Sequence, residues 1–203
     1  MKTLTRREKE RLTHREEILR AAERLFAAKG FYHTPMSEIA QAAEFGTGTL
    51  YTYFKSKEEL YFTLIDEKTD EIYRKIQAEL RRKAPALERI ERVLSLQLEF
   101  MERNRDFFKI YTSESSRFAW LIKEEYGKKI HDKMVRYLHL LSQVFKQGMK
   151  RGEFKPMDPL DLAHAFEGIV HSFIFEWMIH PKPYSLPSKA ATILEIFLRG
   201  AKR

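Results

Sequence analysis

No cysteine occurs among the 203 residues. That absence removes disulfides, thiolate catalysis, iron–sulfur clusters and cysteine-ligated zinc together. Glycine and proline are sparse, 8 and 7 residues, and they punctuate the chain without forming a low-complexity stretch. Long hydrophobic runs are missing too. The most apolar stretch, residues 168–179, contains His171 and Glu176 and is too short to span a bilayer. The basic start MKTLTRREKER leads into no apolar signal core, so the chain reads as cytoplasmic with no membrane partner. No period-two run of β-branched residues is sustained, which argues against strands.

What remains is 43% hydrophobic and 33% charged, the balance of a globular protein. The length allows one or two domains that bury roughly 70% of the extended chain's surface. Net charge is +8, which favours an anionic partner such as nucleic acid. Residues 1–57 hold 11 Lys/Arg against 7 Asp/Glu, and the remaining residues hold 26 against 22. The positive excess is therefore densest at the N-terminus, although a solvated basic face fits so modest an excess equally well.

The punctuation divides the chain into nine predicted helices without internal repeats. Thr13-His-Arg-Glu16 is a capping box that opens an amphipathic run with Ile18, Leu19, Ala22, Leu25 and Phe26, stopped at Gly30. Thr34-Pro35 predicts an N-cap and a proline at N1 for a short helix to Ala43. A turn, Glu44-Phe45-Gly46, leads into residues 47–54, and a second capping box, Ser56-Lys-Glu-Glu59, opens a helix to about Arg82. Helices over about 85–103, 107–111, 118–150, 158–179 and 188–200 complete the all-α pattern.

Residues 34–54 have the spacing of a helix-turn-helix, whose second helix enters the DNA major groove. In that helix Leu50 and Phe54 lie four apart and point inward together. Thr47, Thr49, Thr52, Tyr51 and Tyr53 then offer hydroxyls to phosphates and base edges, and the threonines offer methyls to thymine. Gly48 leaves room for close backbone approach, and Lys55 and Lys57 flank the next helix start, where ammonium and amide groups share a phosphate. On spacing alone, an ordinary helical hairpin with solvated hydroxyls remains the alternative.

The segments Ile18-Leu-Arg-Ala-Ala-Glu-Arg-Leu-Phe26, Gly30-Phe31, Ile39-Ala40, Ala43 and Gly48-Thr-Leu-Tyr-Thr-Tyr-Phe-Lys-Ser-Lys-Glu-Glu-Leu60 resemble the DNA-binding domain of the TetR family of repressors. The resemblance covers roughly residues 14–65. It implies a three-helix DNA-binding head (with the basic arm, residues 1–56) and a helical effector-binding and dimerisation domain (57–203). It also implies a homodimer on a palindromic DNA operator, released by a small-molecule effector, and no cofactor. Thr34, Thr47, Thr49, Tyr51, Tyr53 and Lys57 fall at DNA-contacting positions. The turn departs from the family: Glu44, Phe45 and Gly46 stand where glycine, an aliphatic residue and serine are common. Gly46 still serves as an N-cap, but Glu44 occupies a position that often needs positive φ, and its carboxylate repels phosphate.

The rest of the chain is rich in aromatics. Phe100, Phe108, Tyr111, Trp120, Tyr137, Leu141, Phe166, Phe173 and Trp177 are candidates to line an apolar pocket, or else form plain core. The expected effector is correspondingly apolar or aromatic. His164, Glu167 and His171 share a helix face at metal-ligand spacing, but further ligands from His131 or His139 would be needed, and no metal is expected. Glu176 is either a buried polar anchor or a solvent-facing partner of His180 at i+4. Gly168 and His171, with Ala191, Leu194, Phe197 and Leu198 of the last helix, are the candidate dimer seam. A small helical enzyme or ligand carrier is the alternative; no serine elbow, His-Glu-x-x-His pair or P-loop supports catalysis.

Overall fold

The computed structural model describes residues 5–113, 125–180 and 183–201, and among these residues it is helical without strands. The helices are α1 (Arg6–Lys29), α2 (Met36–Ala42), α3 (Thr47–Tyr53), α4 (Lys57–Leu80), α5 (Ala86–Arg103), α6 (Arg105–Ser113), α7 (Glu125–Lys150), α8 (Pro159–Ile179) and α9 (Ala190–Ala201), with a 3-10 turn at Leu186–Lys189. They form two units. One contains α1 to α3, the first half of α4 and nearly all of α6; the other contains the second half of α4 with α5, α7, α8 and α9.

In the first unit α1 begins two turns earlier than expected. Thr5 and Glu8 form the capping box: Thr5 Oγ1 accepts from Glu8 N at 3.3 Å and Glu8 accepts from Thr5 N at 2.7 Å. The bonds that the Glu8 carboxylate accepts from Thr5 N and from the Thr5 hydroxyl hold it below its ordinary range. By Thr13 the helix is already running, and the Thr13 hydroxyl donates back to Lys9 O at 3.1 Å instead of capping. Gly30 ends α1 at φ +79°, its N–H donating to Phe26 O at 2.8 Å.

Ile18, Ala22, Phe26, Ile39, Ala40, Leu50, Phe54 and Leu60 are buried together as the core of this unit. Tyr61 extends it. Its ring lies 5.4 Å from Phe26 and 5.0 Å from Phe31, and its hydroxyl donates to Ile110 O at 3.4 Å. Residues 57–68 and α6 from Asp106 onward therefore group with α1 to α3, past the boundary expected at residue 56. Ser56 does cap α4, accepting from Glu59 N at 3.1 Å, but the Glu59 carboxylate reaches Lys55 N, one residue before the cap.

In the second unit Asp158 caps α8 by accepting from Leu160 N and Asp161 N, with Pro159 in the first turn. Phe145 packs against Phe154 and Phe197 at ring separations of 5.3 and 5.5 Å, and Phe166 lies 5.2 Å from Phe197. At the end of α5, Glu102 accepts from Leu186 N at 2.9 Å, holding the 3-10 turn that leads into α9.

Gly148 allows the turn after α7 to close. A Cβ at this position would lie 2.5 Å from the Phe154 ring and 2.9 Å from Ala86 Cβ. Gly148→Ala is therefore expected to destabilise the protein by about 1–3 kcal/mol despite alanine's better helix propensity; urea denaturation with both proteins at matched conditions checks this.

Candidate DNA interface and effector region

The orientation of α3 follows from two side chains. Leu50 and Phe54 are buried, with exposures of 0% and 2%, and they turn Thr47, Gly48, Thr49, Tyr51 and Thr52 to solvent. Tyr51 is half exposed and Lys55, just beyond the helix, is exposed. The Thr52 hydroxyl donates to Thr49 O at 2.7 Å, which leaves its oxygen to act as an acceptor. Tyr53 is partly buried, its hydroxyl 3.3 Å from His14 Nδ1, while the His14 ring stands edge-on to Phe45 at 5.1 Å. Thus α1, the turn and the end of α3 are held at one point.

Two predicted contact residues have other employment. Thr34 is fully buried, and its hydroxyl donates to Gly30 O at 2.8 Å. It secures the α1–α2 loop, Pro35 takes the N-cap place of α2, and the Thr34 side chain is withdrawn from any ligand. Lys57 donates to Phe31 O at 2.8 Å, with its ammonium 4.4 Å from the centre of the Phe31 ring. Only its remaining N–H groups are left for a phosphate.

The turn carries the strain expected of it. Glu44 has φ +61°, the sole positive φ outside glycine among the described residues. Gly46 is the N-cap of α3 and supplies no side-chain bond to the helix amides.

Sequence reading missed Arg7, Arg11 and His14. The added turns of α1 bring Arg7 and Arg11, next to His14, beside Thr52 and Tyr53, where with Glu8 and Glu10 they line a cleft of about 520 Å³. The signal was present: Thr5-x-x-Glu8 is the same capping pattern as Thr13-x-x-Glu16.

In the second unit the predicted pocket residues separate into different roles. Leu141 and Phe166 are completely buried, Phe166 within the Phe145–Phe197 cluster, so they are core. Phe108 lies in α6 with the first unit, not the second. Trp177 is buried; its Nε1–H donates to Tyr184 O at 3.0 Å and the Arg105 guanidinium sits 4.2 Å over its ring. Phe100 is buried and Phe173 half-buried. The Tyr111 side chain and Trp120 lie outside the described residues.

Tyr137 belongs to a polar trio in which Tyr137 and Gln97 are buried and Glu167 is half-buried. It hydrogen-bonds Glu167, and Gln97 Nε2 donates to Tyr137 Oη at 3.1 Å and to Glu167 at 3.0 Å. Tyr73 stacks on Tyr137 at 5.8 Å. Burial, with Glu167 beside it, pushes the Tyr137 phenol well above its ordinary range, so it stays a proton donor. Burial also raises Glu167, against the opposing hydrogen bonds from Tyr137 and Gln97. Gln97 Oε1 is buried with no partner. Glu167 is thus committed to this trio and does not converge on a metal with His164 and His171.

The candidate dimer seam also needs revision. Phe197 is buried in the aromatic core of the second unit. Gly168, His171 and Ala191 are exposed, and Leu194 and Leu198 are half-buried. Phe175, Ile179 and Ile196, which sequence reading left out, are exposed by 43%, 51% and 48%. His180 does pair with Glu176, at 3.2 Å.

Two expectations follow. Replacing Glu44 by glycine removes the positive-φ penalty and should stabilise the head by about 1–2 kcal/mol, read from thermal and urea unfolding. The second concerns pH. Glu167 has a raised folded-state pKa, so its stabilising contribution is complete below the unfolded carboxyl value (about 4.3) and is lost as pH rises through the folded value. Glu167→Gln should flatten that part of the stability–pH curve; an unaltered slope would assign it to other groups.

Residues 18–64 match the family described as bacterial regulatory proteins, tetR family, and residues 83–201 match tetracyclin repressor-like C-terminal domains. The chain is 27% identical to the fatty acid metabolism regulator protein of Bacillus subtilis (strain 168) over 187 residues, covering 91% of this chain and 93% of that one. The structure of ketosteroid transcriptional regulator KstR2 of Mycobacterium tuberculosis matches at TM-score 0.77 and 24% identity, covering 93% and 95%. The structure of AibR in complex with isovaleryl coenzyme A and operator DNA matches at TM-score 0.75 and 22% identity, covering 90% and 97%.

Proposed function

The chain belongs to the tetR family of bacterial regulatory proteins, and we propose that it is a transcriptional repressor that binds a palindromic operator as a homodimer and releases it on binding a small acyl-bearing molecule. The observation that carries this reading is the outward row of α3: Thr47, Gly48, Thr49, Tyr51 and Thr52 on a helix anchored by Leu50 and Phe54. Thr47 and Thr49 read base edges. Tyr51, Tyr53, Lys55 and the free N–H groups of Lys57 hold phosphates, and Arg7 and Arg11 add charge beside the end of the helix. Gly48 has open space about its missing Cβ, which suits close approach of a sugar–phosphate backbone.

The small and apolar exposed surface of α8 and α9, namely Gly168, Phe175, Ile179, Ala191 and Ile196, serves as the seam between protomers. Half-site helices must then lie about 34–36 Å apart to enter successive major grooves. An effector that favours a different spacing weakens DNA binding, and a 100-fold loss requires about 2.7 kcal/mol of reciprocal coupling. The Gln97–Tyr137–Glu167 trio is the polar anchor for that effector. The unpartnered Gln97 Oε1 can accept from an amide or hydroxyl of such a molecule. The name of the fatty acid regulator and the isovaleryl coenzyme A held by AibR support an acyl group.

Selection from a randomised duplex pool at fixed, near-physiological salt tests the first half of this reading, and a palindromic motif is the expected product. Thr49→Ala should change the selected motif more than the affinity, whereas Tyr51→Phe should weaken all sequences alike. Arg7→Ala and Arg11→Ala should each reduce the slope of log affinity against log salt by about one. Tyr137→Phe should leave operator binding intact while raising the acyl-thioester concentration needed for release about tenfold, roughly the worth of one hydrogen bond. An enriched motif with no response to acyl thioesters would keep the repressor and discard the effector class.

A further inference from the structure

The turn between α4 and α5 and the C-terminal half of α7 border a second cleft, of about 610 Å³, wholly within the second unit. Its charged lining is Arg81, Arg82, Lys83, Arg89 and Arg151, and no carboxylate lines it. Arg82 is offset by Glu79 at 3.0 Å and Glu88 at 3.5 Å. Arg81, Lys83 and Arg151 are exposed and have no ion pair among the described residues. The remaining carboxylate in the neighbourhood, Glu153, accepts from Leu87 N at 3.0 Å.

Arg89 differs from the others because it is buried, with an exposure of 4%. Its Nη1 donates to Leu80 O and its Nη2 to Gln147 Oε1, both at 2.8 Å, but Nε is buried without an acceptor. A buried guanidinium that hydrogen-bonds no carboxylate, with a further cation near it, is costly unless an anion completes it. Burial first and Arg151 second lower its proton affinity, with Glu153 opposing, as expected for crowded positive charge.

We propose that this cleft binds a phosphorylated small molecule through its phosphate groups, with Arg81, Lys83 and Arg151 supplying charge and Arg89 Nε the buried donor. Guanidinium groups match phosphate oxygens in geometry, and several cations without counter-charge match a group bearing two or more negative charges better than a single carboxylate. The cleft exceeds a lone phosphate and falls within the usual range for small-molecule sites. The phosphates belong either to a free nucleotide or to the headgroup of the effector itself. Since Arg89 also holds Leu80 O, the last residue of α4, an anion here bears on the end of the helix that begins in the DNA-binding head.

Isothermal titration of the full chain with inorganic pyrophosphate, ADP and coenzyme A tests the proposal, beside the double variant Arg81→Gln/Arg151→Gln. Both positions are exposed, so folding should survive, and circular dichroism checks that it does. Saturable binding of at least one probe, weakened tenfold or more in the variant and further weakened by raised salt, is the expected result. Competition between pyrophosphate and coenzyme A would assign the cleft to an effector headgroup; competition with ADP alone would assign it to a free nucleotide. Absence of binding by all three probes at millimolar concentration, or equal affinity in the variant, would overturn it. Binding is read without DNA, so this result stands apart from whether any acyl thioester releases the operator.

Discussion

The burial of Leu50 and Phe54, one helical turn apart, is the constraint on which the DNA-binding head depends. A helix as short as α3 has little stability of its own, so tertiary packing must hold it. Two inward anchors fix its rotation, and that rotation decides which hydroxyls face a duplex. The rest of the head supports those anchors. Thr34 and Lys57 tie down the loop before α2, His14 touches both the turn and Tyr53, and Tyr61 joins α4 to Phe26, Phe31 and the backbone of α6. The strained backbone at Glu44 is tolerated because the elements on either side of it are fixed by packing.

The second unit depends on a different balance. Its aromatic cluster of Phe145, Phe154, Phe166 and Phe197 supplies apolar burial, and two polar groups interrupt it. In each, most hydrogen bonds are satisfied and one buried atom is left over, Gln97 Oε1 in the trio and Arg89 Nε beside the basic cleft. Buried polar atoms without partners are rare in native proteins and call for an explanation. Under the two proposals made above, a ligand's donor and a ligand's phosphate are the complementary groups for these two atoms.

Much of the fold was legible before any coordinates. Gly30, Pro35, Gly46, Ser56 and Asp158 mark helix ends because caps and breakers act through neighbouring backbone groups. The errors share one cause. Thr13 and Thr5 carry the same capping pattern, and local sequence does not say which is used; Phe166, Leu141 and Phe197 have the composition of pocket wall, seam and core alike. Phe108 sits in the head because Tyr61 reaches the carbonyl of Ile110, a contact across 49 positions with no local signature.

The chain's own pattern therefore determined its all-helical class, its helix-turn-helix and the inward face of α3, since helical periodicity and capping depend on residues three or four apart. Tertiary structure alone decided that Thr34 is a loop fastener, that Arg7 and Arg11 stand beside the reading helix, and that Gln97, Tyr137 and Glu167 meet. It also decided that Arg89 lies buried among unpaired cations. Those facts arise from side chains brought together across long stretches of chain, where burial and charge are set by neighbours that sequence spacing does not specify.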